Sequence, residues 1–457
     1  MSKTAITQPV VSYNQSIKSL GGETNAMRAF YGCLVCAVLL GLSACAQAPK
    51  KVIKKVAAPL VFPSPPDDAR FFYERTIRSS RDVDTSIAET SLQELLTGTG
   101  ATEANIPLRK PYAIAVHQGR LFVSEPTSRI VKVFDVPGKK YFTIGAEEPG
   151  RLLMPTGLDV DGAGNLYVAD ISVKAVMVYN RDGVFLRKLA ATKIGEPDLF
   201  KRLASVTVDK KGEKIYALDI GGTSGATENH RVRIFDAKTG KHLSDIGKRG
   251  TGQGEFNLAR DLVLDKDNNL FVVDAGNARV QVFNAEGNFL REFGNRGKQL
   301  GNFSRPKEIA MDSTGNIYVV DATFSHFQIF NPNGELLMSI GSGSDKDTPV
   351  SYRLVSGIAV DEDGRVYLVD QQFKKIDIFR PAGMGVKQGY LAGKGGDNKL
   401  GAASQAPSIS PPSDVRTSGA QTLDVQTSDA AAADEKVSSD ASPVNEGDDI
   451  LDESLPD

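Results

Sequence analysis

The chain is poor in the residues that most often carry chemistry. Of its 457 residues, three are cysteine and four are histidine. Cys33, Cys36 and Cys45 all fall within the first 45 positions, so the rest of the sequence has no thiol for a disulfide, a metal or a nucleophile. His117, His230, His242 and His326 are scattered, and no Ser–His–Asp or Cys–His set can be assembled from their spacing, which leaves nucleophilic catalysis unsupported. Long apolar runs are missing too. The candidate, Ala29–Gly41, is about a dozen residues, too short to span a ~30 Å hydrocarbon core as a helix. Charge of one sign is also scarce. The formal net charge is -2, with 12 acidic and 2 basic residues concentrated between 401 and 457, and the chain without that tail and the N-terminal signal comes out near +6. That mild excess is not the basic stripe of a nucleic-acid protein, and no nucleic acid is expected as a partner.

What is present begins at the N-terminal end. Arg28 precedes the apolar run, and Leu42-Ser43-Ala44-Cys45 closes it. A charged start, a short apolar stretch and small residues at a cleavage site form a secretory signal. Ending in Cys, this segment resembles the lipobox of bacterial lipoproteins. The resemblance implies cleavage before Cys45, a diacylglyceryl thioether on its sulfur, and removal of Cys33 and Cys36. Ala46 after the lipidated cysteine resembles lipoproteins sent to the outer membrane, facing the periplasm. The polar stretch 1–26 is long for a signal, and Met27 is the expected start.

Four zones follow: a signal with its extension (1–44), a Lys/Pro tether (45–70), a folded body (71–392) and an acidic tail (393–457). Proline pre-extends the tether. The Ala/Ser/Asp/Pro-rich tail lacks the apolar content to offset its ordering entropy and is expected to be disordered. The body carries six copies of a repeat of about 45 residues, starting near Pro111, Pro155, Leu203, Arg260, Pro306 and Ser356. Each copy alternates apolar and polar residues in four short runs broken by Gly, Asn and Asp, the pattern of a four-stranded antiparallel meander. In the fourth copy the strands are expected at about 260–264, 270–274, 279–284 and 288–293. Meanders stacked face to face around an axis bury both faces and limit free edges. The expected fold is all-β, a six-bladed β-propeller. Arg70–Ile77 reads as a strand that pairs with the last blade to close the ring, and a weaker strand is expected near Gly385–Leu391.

Asn-Leu-Tyr-Val-Ala-Asp (165–170), Asn-Leu-Phe-Val-Val-Asp (269–274), Asn277–Phe283 and Gly-Gln-Gly-Glu-Phe (252–256) resemble NHL repeats. The resemblance implies a six-bladed β-propeller. Its members include binding modules, RNA readers, sensor domains and metal-dependent lyases, so function must come from a site. The lyases use several histidines around the axis, a set this chain does not match.

Each second strand ends in an acid: Glu125, Asp170, Asp219, Asp274, Asp321 and Asp370. Six acids on one face could ligate a hard cation, which makes structural calcium the one cofactor to consider. Repetition in every blade favours a turn role, with each acid accepting amides of its own loop. Basic residues align before the third strand: Arg129, Lys174, Arg231, Arg279 and Lys375. They could pair with acids of neighbouring blades or present forks to an anionic ligand. With His230 and His326, which fall on the same loops, Arg231, Arg279 and Lys375 are the candidate binding residues. Gly250–Gly254 lies between blades and precedes no helix, and Asp265 and Asp361 open calcium-loop fragments lacking the closing Glu, so hairpin turns are expected there. The third repeat has long loops at Ala191–Arg202 and Ile220–His230, where binding is often placed.

Two functions lead, ahead of a purely structural envelope role. The first is a non-catalytic, lipid-anchored envelope scaffold that binds a protein or a glycan. The second is a metal-assisted hydrolase or lyase with its metal over the axis, near Asp219, Asp274, Asp321 and His326.

Overall fold

The computed structural model describes residues 59–84, 105–190, 199–221 and 230–392. Cys45, most of the tether, the acidic tail and the centres of both long loops of the third repeat lie outside the described residues.

The six repeats form six antiparallel sheets. Blade 1 contains Ile114–His117, Arg120–Glu125, Ile130–Asp135 and Lys140–Ile144. Blade 2 contains Pro155–Val160, Leu166–Asp170, Ala175–Tyr179 and Phe185–Leu189. Blade 3 contains Leu203–Val208, Lys214–Asp219, Arg231–Asp236 and His242–Ile246. Blade 4 contains Asp261–Leu264, Leu270–Asp274, Arg279–Phe283 and Phe289–Phe293, each within one residue of its sequence expectation. Blade 5 contains Pro306–Met311, Ile317–Asp321, His326–Phe330 and Leu336–Ile340.

Blade 6 takes three strands from the end of the body, Val355–Val360, Val366–Asp370 and Lys375–Pro381, and its fourth from the beginning, Phe71–Ile77. Phe72 pairs with Arg380 and Ile77 with Ile376. Glu74 reaches across this closure to the fully buried Arg365 guanidinium, 2.9 Å away, and Thr76 donates to Asp377. The expected closing strand is therefore in place. The weaker strand expected near Gly385–Leu391 is not: that segment is a turn leading into a 3-10 helix, Tyr390–Ala392, because Phe71–Ile77 already holds the position. The sheet also begins ahead of residue 71. Val61–Phe62, assigned to the tether from its prolines, forms a fifth strand on Phe71–Phe72, and Phe62 packs edge-on against Phe379.

There is no single core. Six separate apolar clusters lie between neighbouring blades. The one between blades 6 and 1, with Ile77, Ile114, Leu121, Tyr367 and Ile378, completes the circle. Second strands are buried on both flanks, as in Leu166–Asp170 and Val366–Asp370. Fourth strands alternate, as in Phe289–Phe293, because their outer flank meets water. The 1–2 hairpins turn on left-handed residues. In blade 2 this is Gly164 at φ +85°, where an added Cβ would also meet the His117 ring.

Candidate functional site

The acids that end the second strands are buried latches. Asp170 accepts the amides of Leu153 and Met154, which precede its own blade, and those of Ser172 and Val173 in its 2–3 loop. Asp219 accepts Lys201 and Arg202 amides. Asp321 accepts Ser304 and Arg305 amides. Asp370 accepts Arg353, Leu354 and Phe373 amides. Glu125, with its longer side chain, accepts the Arg109 amide and pairs with Lys132 at 2.8 Å. The latch ties the segment before each first strand to the loop after the second. That role takes up Oδ1 of Asp219 and both oxygens of Asp274 and Asp321, which the metal-site reading required. Among the described residues no three of His, Cys, Asp or Glu converge as a metal-holding group.

The candidate binding cations are spent locally. Arg279 is buried and donates to Asp274 and Glu292 at 2.9 Å and to the Gly252 and Glu255 carbonyls. The Gly250–Gly254 loop thus turns a carbonyl, not a phosphate-cradling amide, toward a cation. Lys375 is buried between the Thr348 carbonyl at 2.8 Å and Asp377 at 3.1 Å, over the Tyr352 ring. Arg231 pairs with Asp245 at 2.8 Å, a carboxylate it shares with Arg233 and His242. These partners belong to the same blades, not to neighbouring ones. His230 accepts the Leu258 amide on Nδ1 at 3.0 Å, bridging blade 3 to the segment before blade 4. His326 sits opposite Asp321 at the start of its strand and stacks on Phe324. Its Nε2 is buried without a hydrogen bond, and burial lowers its pKa. The structure does not bring these residues together into one site.

The aligned cations also split into two registers. Arg129 and Lys174 occupy the last, left-handed loop position, with Lys374 the blade 6 equivalent. Arg231, Arg279 and Lys375 occupy the first strand position, opposite the latch acid. The Asp265 and Asp361 fragments are hairpin turns. Asp361, for example, accepts the Asp363 and Arg365 amides and the Tyr367 hydroxyl.

A different group of residues surrounds the axis. The six first strands line a narrow channel of about 100 Å³. Three carboxylates face it and stitch blades together. Asp159 of blade 2 accepts the Thr207 hydroxyl at 2.6 Å and the Val208 amide of blade 3. Asp261 of blade 4 accepts the Ser205 hydroxyl of blade 3 and the Ile309 amide of blade 5. Glu308 of blade 5 accepts the Ile358 amide of blade 6. Burial pushes Asp261 up to about 7 and raises Glu308 well above an ordinary carboxyl.

Basic residues precede or open the first strands of most blades. Arg109 and Lys110 lead into blade 1, Lys201 and Arg202 into blade 3, Arg260 into blade 4, Arg305 into blade 5 and Arg353 into blade 6, with Lys307 one position into blade 5. Five of six blades contribute, because the latches hold these segments at the mouth. Arg109, Lys201, Arg305 and Arg353 are exposed, Arg353 being paired with Asp345 at 2.9 Å; Lys110, Arg202, Arg260 and Lys307 are half-buried. Arg260 donates to the Tyr112 hydroxyl, which burial pushes up. Burial and the neighbouring Arg260 charge both lower Arg202, and burial lowers Lys110. The sequence expectations lie on the 2–3 loops and do not include these residues. Their signal is a basic residue just before the first apolar run in five repeats.

A larger cavity of about 290 Å³ opens on the opposite face, lined by His117, Arg120, Arg181 and Tyr390 among others. There His117 is paired with Glu362 at 2.9 Å and Arg120 with Asp135 at 2.6 Å.

Residues 226–278 and 261–340 match the profile of a family described as a 6-bladed beta-propeller. Among solved structures, the chain is similar to a protein of unknown function from Bacteroides thetaiotaomicron, at 16% identity over 62% of this chain and 72% of that one, with a TM-score of 0.47. It is similar to a gluconolactonase from Xanthomonas campestris at 13% identity, over 60% and 86% of the two chains, with a TM-score of 0.45. It is also similar to a streptogramin B lyase at 14% identity, over 60% and 95%, with a TM-score of 0.43. None of these three likenesses bears functional weight. The β-propeller itself rests on the six sheets and the family profile.

Proposed function

We infer that this chain is a non-catalytic binding scaffold, anchored to the cell envelope through a lipid on Cys45, that captures an acidic segment of a partner protein at the basic channel mouth. The observation that carries the reading is the recurrence of basic residues ahead of the first strands in five blades, with Arg202 close enough to Arg260 to feel its charge. Like charges held together in a partly buried setting cost free energy that an incoming anion recovers. Guanidinium forks match carboxylates bidentately. The channel volume of about 100 Å³ is well below the roughly 300 Å³ of an ordinary small-molecule site, so it admits a side-chain tip rather than a sugar ring. The lipobox-like Cys45 supplies the anchor, and the NHL-like repeats are consistent with a binding module.

The test is anisotropy with a fluorescent oligo-glutamate peptide, with heparin as the glycan comparator. Replacing Arg202 and Arg260 with Ala should weaken peptide binding by about tenfold, at roughly half to one kcal/mol per lost charge. Unchanged binding would remove the mouth as the site, and binding of heparin alone would reassign the ligand to a glycan. Separately, Cys45→Ser should abolish acyl labelling and release the protein from the membrane fraction. Continued labelling would sink the anchor.

A further inference from the structure

We propose that the cavity on the face of the 1–2 turns holds one neutral sugar ring, the terminal residue of a glycan, at a site independent of the channel mouth.

The cavity is built by the first two blades and by the segment that follows the last. Blade 1 supplies His117, Gln118, Arg120 and Phe122, blade 2 supplies Arg181, and Tyr390 closes one side. The walls are fixed from behind. Glu362 of blade 6 pairs with His117 Nδ1 at 2.9 Å and accepts the Gln118 backbone amide at 3.0 Å. The Tyr390 amide donates to Asp363 of blade 6 at 2.6 Å, and a Cβ added at Gly119 would meet the Tyr390 Cβ at 3.0 Å. Arg120 is gripped by Asp135 at 2.6 Å, with its guanidinium 5.8 Å from the centre of the Phe142 ring. A site held in this way spends little free energy on ordering when a ligand arrives.

Charge narrows the class of ligand. Arg120 is matched by Asp135, with Asp182 a further 3.8 Å away, and His117 is matched by Glu362. An anion would meet Asp135, and a cation would meet Arg120 and Arg181, so neither sign is favoured. The hydrogen-bonding capacity left over points to hydroxyls. The Gln118 side-chain amide, the Tyr390 hydroxyl and His117 Nε2 make no hydrogen bond among the described residues. Amides, hydroxyls and imidazoles each donate as well as accept, as sugar hydroxyls do, whereas a carboxylate would use the donors alone. Phe122 and the Tyr390 ring add the apolar surface that small-molecule sites combine with a few placed polar groups.

Size gives the number of rings. The volume of about 290 Å³ lies at the low end of small-molecule sites, roughly 300 Å³, which suits one ring rather than a chain. Gln118 and Arg181 are exposed, so that side is open, and a chain attached to the ring can leave through it.

The experiment is saturation-transfer NMR on the full chain with methyl α-glucoside, methyl α-mannoside, methyl β-galactoside and N-acetylglucosamine, and with benzoate and benzylamine as charged rings. At least one sugar should bind with a Kd on the order of 1 mM, the range open to a ligand of about a dozen non-hydrogen atoms. Gln118→Ala and Tyr390→Phe should each weaken it about fivefold, the loss of one hydrogen bond. Gln118 is exposed and Phe keeps the Tyr390 ring, so both variants should retain the fold. Arg202→Ala, at the mouth, should leave sugar binding unchanged. If no sugar binds at about 20 mM, or if the sugar binds both cavity variants as tightly as the parent, the proposal falls. If benzoate or benzylamine binds there in place of every sugar, the cavity is a site for a charged ring and the sugar assignment falls.

Discussion

The latch acids at the ends of the second strands and the acids of the channel wall are both buried acceptors of backbone amides, yet they join different things. Asp170 gathers four amides from within and immediately before its own blade. Asp159 reaches the Val208 amide of the next blade, and Asp261 and Glu308 do the same from two and three blades further on. The first set makes each blade a unit; the second makes six units a ring. The difference shows in number. A latch recurs in all six copies because every blade needs one, whereas only three of the six inner strands carry a stitching acid. Burial acts on both sets, pushing the channel acid Asp261 up to about 7 and raising the latch Asp274.

Breaking a latch should have the largest effect. Asp274→Ala would remove the acceptor for Asn257, Asn277, Arg279 and Gln281 and leave a buried guanidinium short of its partner. We expect a loss of about 3–5 kcal/mol in urea unfolding. A loss below about 1 kcal/mol would show that the latch is dispensable.

The channel wall should instead respond to pH. A carboxyl near 7 in the folded protein still holds a proton that the unfolded chain, titrating near 4, has released. Its contribution is therefore complete in acid and is lost as pH rises through 7. Asp261 and Asp361 both sit at about 7. Each should cost the fold about 2 kcal/mol between pH 5 and 8, so chemical unfolding should show stability falling across that window. Asp261→Asn should flatten part of the slope, with Glu308 and Asp361 carrying the rest; an unchanged slope would deny Asp261 this role.

Thr207→Val removes one hydroxyl donor to Asp159 and should cost about 1 kcal/mol. The smallest effect should come from the mouth. Arg202→Ala should change the unfolding free energy by no more than about 0.5 kcal/mol, because its latch binds the backbone amide rather than the charge, whereas Arg260→Ala should cost about 1 kcal/mol for the lost hydrogen bond to Tyr112. A larger loss would mean that the mouth cations hold the ring instead of serving a ligand.

This contrast also explains what could be read from the residues alone. The blades were legible because the apolar alternation, the Gly/Asn/Asp turns and the terminal acid recur in register. The latch role of the acids followed from the same recurrence. The channel acids share no register. Asp159 is fifth in its strand, Asp261 first and Glu308 third, and each accepts an amide 48–50 positions away, so no local pattern marks them. Arg279 and Lys375 were misjudged as binding residues because a strand's first position faces its neighbour's last, where the latch acid and adjacent carbonyls satisfy them. The mouth cations escaped notice because they precede the strands in connections of unequal length.

The borrowed strand of blade 6 has a consequence for how the molecule is made. Thr76 and Asp377 lie 301 positions apart, so synthesis delivers Phe71–Ile77 long before the strand it pairs with. Until Lys375–Pro381 arrives, that early strand has an open edge and the first blade has one uncovered flank. Closing so distant a pairing is slow on entropic grounds, and it comes last. Completion of the fold is thereby tied to completion of the body. A chain cut anywhere before Lys375 would keep Phe71–Ile77 as a bare edge, the kind of surface that aggregates or is degraded.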